Sequence, residues 1–169
     1  MKRILFLLVG LCSLLTACNN PEPDIQVDTI ISNITAEEFD DLGGTQEYGE
    51  ATEKDFKKLT FDFSMEHNEK VERKIEMFND WRTLLNEYDG FERYWGGESS
   101  SQDNIEEDFA KYHYELIFFT KGLSEAEIRG IFKEATIHVE WKDVEGTESL
   151  EYDSTYARDY IIGNVIKFK

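Results

Sequence analysis

The chain of 169 residues carries 18 lysines and arginines against 36 aspartates and glutamates, a formal net charge of −18 at pH 7. This balance excludes nucleic acid as a partner, because binding it requires cations on the phosphates, and it repels anionic lipid head groups. The length suits one ordinary domain with a sizeable core, and both cysteines, Cys12 and Cys18, lie near the start.

Lys2 and Arg3 form a basic start, and an apolar run follows from Ile4 to Leu15. Charged, apolar and then small residues are the order of a secretory signal peptide, and the run is shorter than the roughly 20 residues a spanning helix needs. It closes on Leu15-Thr16-Ala17-Cys18. This tetrapeptide resembles the lipobox of bacterial lipoproteins. The resemblance implies a diacylglyceryl group on the Cys18 thiol and removal of residues 1–17. Two acyl chains make a durable anchor without a transmembrane helix. The expected address is the extracytoplasmic face of a cell membrane, with the bilayer as first partner through Cys18. Asn19 after the lipidated position, together with the fold resemblance below, favours a Gram-positive envelope. The leader holds two of the basic residues and none of the acidic ones, so the mature charge is −20. The mature body then has no disulfide, no thiol nucleophile and no cysteine metal site.

Residues 18–44 read as a lipidated N-terminus and extended tail, with the folded domain at 45–169. Asn19 to Asp24 holds both prolines and acts as a stiff spacer. Ile25, Val27, Ile30, Ile31 and Ile34 give this tail the means to add a strand or dock on the body. Leu59 to Glu66 alternates strictly between apolar and polar, a half-buried strand. Val71, Arg73, Ile75 and Met77 alternate as a second strand. Trp81, Leu84, Leu85 and Tyr88 fall on one face of a helix from Asn79 to Asp89, with Asn79 as N-cap and Gly90 as stop. Residues 96–101, Gly-Gly-Glu-Ser-Ser-Ser, read as a flexible loop.

Tyr112 to Thr120 is the strongest strand, apolar on both faces near its end, which predicts cover from both sides. Ser124 and Glu127 form a capping box ahead of a short helix whose Ile128, Ile131 and Phe132 face inward. Ile137 to Trp141 alternates, residues 148–153 pair back as a hairpin, and Tyr160 to Phe168 supplies one or two closing strands. Six to seven strands with two short helical inserts predict a mainly β protein, a β-sandwich. The stretch from Tyr112 to Tyr152, carried by Lys121 to Ile128 and Ile137 to Trp141, resembles the immunoglobulin-like domains of small Gram-positive lipoproteins. That resemblance implies a fold and no activity.

Catalytic signals are weak. His67, His113 and His138 have no metal-ligand spacing, so no metal and no cofactor are expected. Asp103, Glu106, Glu107 and Asp108 are the best calcium candidates but lack the spacing of a calcium loop. Paired carboxylates would serve an envelope hydrolase, yet 36 acidic residues bring pairs together in any fold. No catalytic residue is assigned. Arg93, Tyr94 and Trp95, beside a glycine loop, have the make-up of an interaction hot spot, with packing against the preceding helix as the alternative. The expectation is a membrane-anchored, non-catalytic binding module whose partner is another envelope protein or a cationic secreted one. A calcium-dependent module and an envelope hydrolase are the alternatives.

Overall fold

The computed structural model describes residues 22–44, 51–68, 71–143 and 155–169. Cys18 and the leader therefore lie outside the described residues. So does the expected strand at 148–153.

Eight strands form two sheets. β1 (Asp24–Asn33), β2 (Phe56–Glu66), β4 (Tyr94–Gln102), β5 (Phe109–Phe119) and β8 (Ile166–Phe168) make a five-stranded sheet in the order β4-β5-β2-β1-β8. β3 (Val71–Glu76), β6 (Thr136–Asp143) and β7 (Thr155–Ile161) make a three-stranded sheet in the order β3-β6-β7. All pairs are antiparallel except β1 with β8, which are parallel. With β1 to β7 taken as strands A to G, the two sheets are ABED and CFG, the constant-type immunoglobulin arrangement. The eighth strand crosses back from the second sheet and hydrogen-bonds beside β1, where the Lys169 N–H donates to Ile31 O at 2.9 Å.

Period-two alternation fixes which side chains fill the sandwich. On β2, Leu59, Phe61, Phe63 and Met65 are buried, while Asp62 and Glu66 are exposed. On β6, Ile137, Val139 and Trp141 are buried in the same core. Both faces of β5 are covered at its end, as its composition predicts. Leu116 and Phe118 enter the main core, and Phe119 joins a second cluster with Ile34 and Phe56. That cluster is roofed by α1 (Ala36–Asp40), which Thr35 and Glu38 start with a reciprocal capping box. The Lys58 ammonium ties the roof to β2, donating to Glu38 at 2.6 Å, and this bond holds the Glu38 carboxyl below its usual range.

Two inserts pack on the sandwich. α2 (Trp81–Glu87) begins at Asp80, whose carboxylate accepts the Thr83 N–H at 3.3 Å, one residue later than the expected cap at Asn79. α3 (Glu125–Ile131) has the expected capping box of Ser124 and Glu127 and buries Ile128, Ile131 and Phe132. A one-turn α4 (Ile162–Val165) leads into β8. Gly163 makes this possible: a Cβ there would lie 2.5 Å from Arg129 O and 2.8 Å from Lys133 N, so only glycine lets α4 meet the end of α3.

β1 pairs with β2 along its whole length from Asp24 to Asn33, so the segment expected as a tail with the means to add a strand does add one. One expectation is corrected. Residues 96–101 are not a loop but most of β4, held to β5 from Tyr94 to Gln102 with a register shift at Tyr94/Gly96. β6 lies between β3 and Thr155–Ile161 and pairs with both. Among the described residues there are eight strands where six to seven were expected, and four α-helices where two were expected.

Candidate interaction surfaces

Gly90, at φ +75°, turns the chain after α2 and brings Arg93 beneath the helix end. The Arg93 guanidinium is buried. It donates to both oxygens of Asp89, at 3.0 Å from Nε and 2.5 Å from Nη2, and to Phe119 O at 3.0 Å from Nη1. Arg93 in turn holds the Asp89 carboxyl below its ordinary range. The Asn86 side-chain carbonyl accepts from the backbone N–H of both Arg93 and Tyr94, at 2.7 and 2.8 Å. Tyr94 packs on the main core with the Arg82 guanidinium 5.2 Å over its ring. Trp95 stands edge-on to Phe56 at 5.1 Å and donates from Nε1 to Gly43 O at 3.1 Å. Arg93, Tyr94 and Trp95 thus form the joint between α2, β4 and the second apolar cluster. Arg93 is buried in this joint, while Tyr94 and Trp95 are half-buried.

The acidic run at 103–108 is organised around a cation of the chain itself. Arg73 on β3 reaches across to the β4–β5 connection with its side chain only 3% exposed. It donates to Asp103 Oδ1 at 2.8 and 3.1 Å, and to the carbonyls of Asn104, Glu107 and Phe109 at 2.9, 2.7 and 2.8 Å. It also contacts His67 Nε2. The other Asp103 oxygen accepts from the Tyr112 hydroxyl at 2.5 Å. Burial, followed by this carboxylate, pushes the Tyr112 hydroxyl far above its usual range. The Asp103 carboxylate, one of the four calcium candidates, faces Arg73 and Tyr112. Among the described residues, no group of three or more His, Cys, Asp or Glu side chains has the geometry to hold a metal ion. His138 sits between Asp159 at 2.6 Å and Glu140 at 2.9 Å, and these two carboxylates, Asp159 first, raise its pKa above the ordinary imidazole value.

Two concavities are open to solvent. The first, of about 560 Å³, lies on the outer face of the five-stranded sheet. Register places Ser100, His113, Asp62 and Asp28 in one row across four strands, with Lys111 and Ser64 in the next. His113 Nδ1 meets Asp62 at 2.8 Å, and Asp28 accepts from Lys167 at 2.5 Å. The row is polar, mixed in sign and rich in donors and acceptors. The second cleft, of about 490 Å³, runs between α2 and α3 with Phe78, Leu84, Tyr88 and Ile131 among its lining. Neither cleft was visible in the sequence. The first needs β1 and β4, one of which reads as tail and the other as loop. The second needs two helices brought together from opposite halves of the chain.

Among the described residues no helix is long and apolar enough to cross a membrane. No family model, no curated protein and no solved structure matches the chain.

Proposed function

We propose that the protein is a lipid-anchored, extracytoplasmic immunoglobulin-type domain that works by binding another protein and not by catalysis. The observation that carries this is the closeness of anchor signal and fold. Leu15-Thr16-Ala17-Cys18 closes an apolar leader, and β1 begins at Asp24. Only residues 19–23 separate Cys18 from the first strand. Fully extended, five residues reach at most about 18 Å. A domain anchored this way is held close to the bilayer, while its strongly acidic surface keeps it off anionic head groups.

The surface chemistry supports binding. The two clefts are open and shallow, as interaction surfaces are. Acidic groups in or beside the mixed polar row lie against basic partners: Asp28 with Lys167, Asp62 with His113 and Asp103 with Arg73. A paired-carboxylate hydrolase needs two carboxyl groups facing one substrate bond.

The test is fractionation of cells expressing the native chain and Cys18→Ala. The native protein should partition into detergent at the size of residues 18–169 and take up labelled fatty acid. Cys18→Ala should take up none and keep its leader or be processed aberrantly. A mature-sized, detergent-partitioning Cys18→Ala protein would sink the anchoring proposal.

A further inference from the structure

The apolar stripe of α2 is wider than the core requires. Trp81 and Leu85 are buried, but Leu84 is half-buried and Tyr88 is 43% exposed. The outer half of the stripe forms one wall of the cleft toward α3, and Ile131 contributes to the other. Gly130 in that second wall is unexplained by the fold. It lies inside α3, its φ is not positive, and a Cβ there would meet nothing within 4 Å. Gly130 is the next-to-last residue of α3, and the room a side chain would take there is left open in the cleft.

The rim is acidic. Asp80 caps α2, and Glu87 and Glu134 stand beside the apolar floor with no ion pair to any described cation. Arg82 on the same helix is directed elsewhere, over Tyr94 and toward Glu92. An apolar trough between two helices is the geometry that receives a third amphipathic helix. The seven residues of α2 span about 10 Å, matching about two turns of such a partner. Three carboxylates on the rim select for lysine or arginine flanking its apolar face. A second copy of this chain, at a net charge of −18, is repelled, as is an anionic lipid surface.

We infer that the α2–α3 cleft binds a short amphipathic helix bearing lysine or arginine, presented by a partner protein. The inference rests on the proposal that this domain works by binding. The probe is a fluorescently labelled 14-residue leucine–lysine amphipathic helix, titrated by polarisation against the full chain in detergent at physiological salt. Gly130→Met, which fills the open wall, should weaken binding at least tenfold without lowering the melting temperature. Glu87→Gln with Glu134→Gln should also weaken it at least tenfold. Glu37→Gln with Asp40→Asn, on α1 and outside both clefts, should leave it unchanged. Lack of binding by the lysine peptide overturns the inference. Equal binding of a scrambled peptide overturns it too, since bulk charge then suffices. So does binding that survives both cleft variants, or a dimer in sedimentation that Gly130→Met dissolves. Failure here with Cys18 still lipidated would sink the cleft and leave the anchored binding domain standing.

Discussion

Arg73 should be the most sensitive polar position in the domain. Its side chain is 3% exposed and joins β3 of one sheet to the β4–β5 connection of the other through Asp103 and three backbone carbonyls. Arg73→Met keeps the stem and removes the guanidinium. The change leaves the Asp103 carboxylate, 27% exposed, without its cation, and leaves the carbonyls of Asn104, Glu107 and Phe109 without this donor. Removing one partner of a buried pair costs about 3–5 kcal/mol, and Asp103's partial exposure places this case near the lower end, at about 3 kcal/mol. For a domain of this size that lowers the melting temperature by roughly 6–12 °C. Arg73→Lys keeps the charge, but one ammonium cannot reproduce the planar fork, so it should recover less than half the loss. Urea unfolding followed by tryptophan fluorescence measures both. A double-mutant cycle with Asp103→Asn should give a coupling of about 1–2 kcal/mol. If Arg73→Met costs under 1 kcal/mol, or Arg73→Lys matches the native chain, the arginine is not what holds this connection.

A chain beginning at Glu22 should fold, whereas one beginning at Thr45 should not, because it lacks β1, the strand that joins β8 to β2; circular dichroism of the two fragments decides this. Gly163→Ala should destabilise the domain by at least about 2 kcal/mol, since the new methyl would lie within 3 Å of three backbone atoms at the end of α3, and chemical denaturation will show it. Gly130→Ala should do the reverse and stabilise by about 0.5–1 kcal/mol, read as a raised melting temperature. His138 is the pH-sensitive group. Its folded pKa is raised by Asp159 and Glu140, so its contribution is fully present below the unfolded value of about 6.5 and is lost as pH rises through the raised folded value. Melting temperatures of the native chain and His138→Gln should therefore diverge most near pH 6 and converge above pH 8, and parallel curves would remove His138 as the source.

Much of the sandwich was legible because its buried strands alternate. Leu59 to Met65 and Ile137 to Trp141 announce both period and face, and Ser124 with Glu127 announces a helix start. β4 was not legible. Tyr-Trp-Gly-Gly-Glu-Ser-Ser-Ser-Gln has no apolar alternation, and its strand geometry comes from pairing with β5. That pairing admits only glycine at position 97, where a Cβ would lie 2.5 Å from Glu115 O. β1 carried a signal, since Val27, Thr29 and Ile31 face the core, but flanking prolines and acids made it look like a tether. At Arg93, Tyr94 and Trp95 the sequence left two readings open, hot spot or packing against the helix. Arginine and aromatic side chains serve a buried joint as well as an exposed hot spot, and composition alone does not separate the two. Both open clefts depend on contacts between distant segments, which no local pattern records.

The most direct measurement for the anchored-domain account is the intact mass of the protein extracted from membranes of cells that express it. The account predicts a chain whose first residue is Cys18, carrying a diacylglyceryl adduct that localises to Cys18 on fragmentation. A chain that retains Met1, or one cut elsewhere with an unmodified Cys18, would contradict it.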